Sequence, residues 1–172
     1  MQMTPDTLSL MNLLAVDCLP RIIERGHLQI TVIPEVTQEV LRYSESRMIA
    51  ELQAGLVKLL DEGQIRQVPI EPCHHVDVYC RLYPTLSTVS VCCAILAQQQ
   101  QSRLISDSQK ILSILAKEMP KLMTTTSVGV LKEWHDNQVL TQEELVATVH
   151  HSASFFSPSA RHPLRHWWLN QL

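Results

Sequence analysis

Three acids stand where an apolar run gives way to a helical pattern, and together they hold the makings of a cation site. Asp6 lies in Pro5-Asp6-Thr7, Glu39 ends the stretch Pro34-Glu35-Val36-Thr37-Gln38-Glu39, and Asp107 follows Leu104-Ile105-Ser106. Carboxylates gathered at one place repel one another, and a divalent cation is the usual compensation. Oxygen ligands alone select Mg²⁺ or Mn²⁺ over zinc. Taken singly, each acid could equally cap or begin a helix, where a negative charge is favourable in any case. What joins them is their shared place at strand ends. In an open parallel sheet, ligands bind at the carboxyl ends of the strands, beside the switch in strand order.

The elements that must position these acids can be read from hydrophobic periodicity. Leu8 to Val16 suits a buried helix, and a second short helix runs from Leu19 to Arg25 and stops at Gly26. Leu28 to Ile33 is rich in β-branched residues and reads as a buried strand, after which Pro34 takes the favoured first-turn position of a helix. Met48, Leu52, Leu56, Leu59 and Leu60 mark one face of a longer helix, with Glu45, Arg47, Glu51 and Lys58 largely elsewhere, and Gly63 closes it. Gln64 to Ile70 reads as a third strand and Glu71 to Leu82 as a helix.

Ser87 is placed to cap a helix so apolar from Val89 to Ala97 that it must be covered on several sides, and the run Gln98 to Gln101 is its solvated end. Arg103 to Ser106 is a strand, Ser108 to Lys117 a helix, and Lys121 to Thr125 a short last strand. Val128, Leu131 and Trp134 then mark a helix, and Thr141 with Glu144 forms a capping box for another. This alternation predicts the α/β class: three layers, α/β/α, around a mostly parallel sheet of four or five strands. The 172 residues suit a single domain, since domains commonly run to roughly 100–200 residues, with a C-terminal helical extension from about residue 141.

Composition narrows the classes further. Hydrophobic content of 45% with 18% charge is that of a globular chain, and no stretch reaches the roughly 18 apolar residues of a membrane span. The start lacks the basic region of a signal peptide, and five unevenly spaced cysteines argue for reduced thiols, so a cytoplasmic protein is expected. A net charge of −3 offers no global attraction to nucleic acid; a phosphate substrate would have to be held by metal ions and a local basic surface.

With these segments in place, the chain resembles the PIN domain, a metal-dependent nuclease fold widespread as the ribonuclease toxin of bacterial toxin–antitoxin pairs. Asp6-Thr7 resembles the family's first aspartate with its following hydroxyl residue. Ile33-Pro34-Glu35-Val36 leading to Glu39 is similar to its second acidic segment, and Leu104-Ile105-Ser106-Asp107 to its late strand end. The helix from Leu86-Ser87 to Ala97 takes the place of the family's third acidic helix, and Phe155-Phe156-Ser157-Pro158 resembles the end of related sequences.

The resemblance implies hydrolysis of RNA phosphodiester bonds, with Asp6, Glu39 and Asp107 as catalytic metal ligands for Mg²⁺ or Mn²⁺. Thr7, Ser90 and Ser108 would position water or phosphate oxygens. It also implies a homodimer and an antitoxin-like protein partner. The departures carry equal weight. The family's third acid falls near Ser90, and no Asp or Glu occurs between Asp77 and Asp107. A serine cannot supply a full negative charge. Ser108 replaces the second acid of the late motif, and Pro5 shortens the first strand. A second expectation follows: a catalytically degenerate interaction subunit whose acidic pocket takes an Arg or Lys from a partner.

Other groups offer weaker chemistry. Cys73, Asp77 and Cys80 would share a face of the helix predicted over 71–82, with His74 and His75 nearby, but they lack the paired-cysteine spacing of a zinc site. Cys92 and Cys93 fall in the apolar helix and belong to the core, and His150-His151 reads as the polar end of a helix. No adjacent acid pair follows the first strand, where a phosphoacceptor receiver would need one. The tail combines Arg161, His162, Arg165 and His166 with Trp167 and Trp168. Such a mixture can contact RNA or a partner by stacking and phosphate contacts. It also suits a terminal helix that docks its tryptophans into the core or a dimer interface.

Overall fold

A computed structural model describes residues 1–43, 47–153 and 156–172. Glu45 and Phe155, singled out above, lie outside the described residues. Five strands form one parallel sheet in the order β3-β2-β1-β4-β5: β1 Gln2–Pro5, β2 Gln29–Val32, β3 Ile65–Gln67, β4 Arg103–Ile105 and β5 Thr124–Thr125. Helices cover both faces in a three-layer α/β/α arrangement. The expected fold class is therefore the observed one, with five strands among the described residues, all of them parallel.

The chain builds outward from β1 to β3, then crosses back to lay β4 against the other side of β1. The switch in strand order thus falls between β1 and β4, whose last residues, Pro5 and Ile105, are partners in register. Pro5 has no N–H to give, yet the ladder survives because it is the terminal residue and Asp6 takes over, donating its N–H to the Ile105 carbonyl at 3.0 Å. Asp6 and Asp107 therefore flank the crevice where such sheets bind ligands.

The core forms where apolar periodicity demanded it. Met3, Ile30, Val32, Ile65, Leu104 and Ile105 of the strands are buried. Helix α6, Thr88–Gln99, buries every residue from Val91 to Ala97 and packs on β1 and β4. Cys92 and Cys93 lie within it; Cys18 is also buried, while Cys73 and Cys80 are exposed, and all five thiols are free. Among the described residues, no helix is long and apolar enough to cross a membrane.

Three segments differ from expectation, the first being the last strand, expected over Lys121 to Thr125 and observed only at Thr124–Thr125, after a turn at Lys121 and a bend at Leu122. The strand predicted over Gln64 to Ile70 shortens to Ile65–Gln67, because β3 is an edge strand whose Arg66 and Gln67 are exposed and Pro69 follows. The helix predicted from Glu71 to Leu82 splits into a 3₁₀ turn, Pro72–His75, and helix α5, Val76–Leu82. This break changes which side chains share a face.

The C-terminal region is tied down by specific contacts. Thr141 and Glu144 make the expected reciprocal cap of helix α9, Gln142–Ser152. Glu144 also pairs with Arg25 at 2.9 Å, and the guanidinium together with the cap hydrogen bond holds its carboxyl down to about 2. In the last helix, α10 (Arg165–Leu169), Trp168 is fully buried and meets Phe156 edge-on at 5.4 Å. Its indole is thereby out of reach of RNA. Trp167 is half-buried, with Lys132 Nζ 5.9 Å from its ring centre, and Arg165 donates to the Pro158 carbonyl. Arg161 remains exposed.

Candidate functional site

Asp6 leaves the end of β1 as the N-cap of helix α1, Thr7–Leu14, where its Oδ1 accepts from the Ser9 N–H at 2.8 Å. Burial pushes its carboxyl above the ordinary carboxylate range; hydrogen bonds from Ser106 and Ser9 oppose the shift, and the charge of Asp107 reinforces it. Glu39 stands on helix α3, Pro34–Arg42, just over one turn from its start, and accepts a hydrogen bond from the Thr7 hydroxyl. The first and second acids are thus brought to one place, with the hydroxyl that follows Asp6 donating to Glu39.

That place is a cavity lined by Asp6, Thr7, Leu8, Glu39, Ser87, Val89, Ser90, Ser108 and Ile111. Ser90 reaches it from the first turn of α6, where its hydroxyl lies 2.9 Å from that of the N-cap residue Ser87. Ser108 caps helix α7, Gln109–Glu118, accepting from the Ile111 N–H at 3.3 Å. Five of the six residues expected in the site therefore share this cavity: Asp6, Thr7, Glu39, Ser90 and Ser108.

The sixth does not. Asp107 lines a neighbouring cavity with Phe156, Ser157, Pro158, Ser159 and His162, and exposed Leu8 lines both. Its carboxylate is engaged by four donors. Oδ1 accepts from the Ser127 N–H at 2.9 Å; Oδ2 accepts from Asn12 Nδ2 at 2.9 Å, from Ser9 Oγ at 3.2 Å and from the Ser127 hydroxyl. Asn12, Ser9 and Ser127 are themselves buried. The acid serves here to join α1 to helix α8, Ser127–Asp136.

The tail closes over this half of the edge. Buried His162 places Nε2 3.0 Å from Thr126 Oγ1, the N-cap of α8, while its Nδ1 accepts from the Leu164 N–H at 3.0 Å. An acceptor role for Nδ1 puts the ring proton on Nε2. Burial lowers the tendency of the imidazole to protonate, and the negative charge of Asp107 opposes that only in part.

Ser9, Asn12, Ser127 and His162 were not anticipated as parts of this region. A signal for two of them exists: Ser9 and Asn12 follow Asp6 at steps of three, a polar row within an otherwise apolar helix. Ser127 and His162 have no comparable local signature.

The donors fit a two-ion Mg²⁺ or Mn²⁺ centre poorly. The cavity offers two carboxylates and several hydroxyls, whereas the third carboxylate is committed elsewhere. Asp6, Glu39 and Asp107 do not form a set whose ligand atoms all lie within 4.8 Å of one another; among the described residues, the group of three that does is Glu71, Cys73 and His74. What the cavity can do directly is attract a cation, since two carboxylates face it and no Lys or Arg is among its described lining residues. No family model matches this chain, and no curated protein and no solved structure matches it.

Proposed function

We propose that the chain is a PIN-like domain that has become a binding subunit, its carboxyl-edge cleft taking an Arg or Lys side chain from a protein partner in a regulatory or toxin–antitoxin complex. The observation that carries this reading is the division of the acids: Asp6 and Glu39 share the cleft, while Asp107 is held by four donors beside a separate cavity. A guanidinium or ammonium donates charge-assisted hydrogen bonds to two carboxylates that, among the described residues, form no salt bridge. An RNA backbone, itself anionic, is repelled by the two carboxylates of the same cleft. Free thiols agree with a cytoplasmic setting, and a homodimer remains part of the proposal through the resemblance alone.

A second reading is favoured by a different observation, that Asp6, Thr7, Glu39, Ser90 and Ser108 all line one cavity near the switch in strand order. Under it the chain is a Mg²⁺- or Mn²⁺-dependent ribonuclease, and Asp107 must exchange its protein donors for metal. Incubating the purified chain with RNA at high Mn²⁺ separates the two. The binding reading expects no cleavage; cleavage that Asp107→Asn abolishes would select the nuclease. For the binding half, recovery of partners from the native cells is repeated with an Asp6→Asn, Glu39→Gln variant. A partner held through its cation is lost from the variant, and equal recovery by both proteins would place it elsewhere.

A further inference from the structure

We propose that the segment Glu71–His74 is a surface site for a borderline divalent transition metal, Zn²⁺ in particular, independent of the carboxyl-edge cleft. Glu71 Oε2 lies 3.9 Å from Cys73 Sγ and 3.6 Å from His74 Nε2, and the three ligand atoms all fall within 4.8 Å of one another. Zinc bonds of about 2.3 Å to sulfur and about 2.0 Å to nitrogen or oxygen, at tetrahedral angles, require S···O and N···O separations of roughly 3.5 and 3.3 Å. The observed separations exceed these by only a few tenths of an ångström. All three residues are exposed, so the side chains can close on an ion without disturbing packed neighbours.

The backbone explains why the donors converge. The His74 N–H donates to the Glu71 carbonyl at 3.0 Å, closing one turn that opens at position 72. In a 3₁₀ turn, side chains at i and i+3 eclipse, which stacks His74 over Glu71 and leaves Cys73 beside them. The α-helix expected here would instead have aligned Cys73, Asp77 and Cys80. His75 is separately engaged, its Nε2 2.7 Å from Gln99 Nε2.

Thiolate, imidazole and carboxylate together suit zinc and disfavour Mg²⁺ and Mn²⁺. Three protein ligands leave a fourth position for water. On binding, the Cys73 thiol releases its proton to solvent as the metal–sulfur bond forms.

The test is titration of the reduced, metal-free full chain with Zn²⁺ and, for its spectrum, with Co²⁺. One ion per chain is expected, with a near-ultraviolet Co²⁺–thiolate band that Zn²⁺ removes and excess Mg²⁺ does not. Cys73→Ser should abolish the band. Glu71→Ala and His74→Ala should each weaken binding by at least roughly tenfold, the scale on which even a supporting partner of a metal site is felt. Because the residues are exposed, unchanged circular dichroism will show that each variant is folded. A band that survives Cys73→Ser, or absence of stoichiometric binding, would overturn the proposal. Asp6→Asn should leave the titration unaltered, so the failure of this site and of the cleft reading are separable.

Discussion

Asp6 and Asp107 follow neighbouring strands, carry the same carboxyl group and flank the same switch in strand order, yet they live in different surroundings. At Asp6 burial outweighs the hydrogen bonds from Ser9 and Ser106, and the ionised form is disfavoured; Asp107 collects one backbone N–H, two hydroxyls and an amide. The fold spends the charge of Asp107 on joining α1 to α8 and leaves that of Asp6, with Glu39, facing a cavity. A carboxyl whose charged form burial disfavours, facing a cleft, is a candidate for binding work, whereas a fully hydrogen-bonded one is a candidate for architecture.

The largest expected effect is on the cover over the Asp107 half. Trp168→Ala removes a fully buried indole and should cost about 3–5 kcal/mol in urea unfolding. A loss under 1 kcal/mol would mean that the tail is not packed as described. Asp107→Ala comes next: it strands buried donors on Asn12, Ser9 and Ser127, each such loss costing at least ~1 kcal/mol, so a destabilisation of about 3 kcal/mol is expected. If Asp107→Ala unfolded no more easily than the parent, the contrast between the two acids would disappear.

Smaller effects come from protons. His162 is harder to protonate in the folded chain than in the unfolded one, whose imidazole titrates near 6.5. Between the lowered folded value and about 6.5, the unfolded state binds more protons, so the contribution of His162 is complete above about 6.5 and is lost as pH falls through that window. Melting temperature should decline from pH 7.5 to 5.5, and His162→Asn should flatten that slope. Glu144 acts lower: with its carboxyl held at about 2 against an ordinary 4.5, its contribution is present above 4.5 and fades as pH falls toward 2.

The smallest change sharpens the comparison most. Asn caps a helix about as well as Asp and carries no charge, so Asp6→Asn should leave stability at neutral pH unchanged or raise it by up to about 1 kcal/mol.

Much of the scaffold was legible because it rests on local rules. Pro34 opening α3, Ser87 capping α6 and the Thr141–Glu144 box are set by neighbouring residues, and the buried run of α6 is visible as composition. Pattern also placed Asp6, Glu39 and Asp107 near strand ends. What it could not show was the separation of Asp107 from the other two, because Ser9, Asn12 and Ser127 reach it from 98, 95 and 20 residues away along the chain. The 3₁₀ turn at Pro72–His75 was hidden for another reason: over four residues, helical and 3₁₀ periodicity are too alike to separate. His162 looked like one of several basic tail residues, and only burial distinguishes it.

The contrast between the two acids is tested most directly by the thermal midpoints of Asp6→Asn and Asp107→Asn, measured side by side at neutral pH. Asp6→Asn should melt at or above the parent temperature and Asp107→Asn well below it, since an amide NH₂ would face donors that now meet oxygen. Equal destabilisation by both substitutions, or a loss confined to Asp6→Asn, would contradict that contrast.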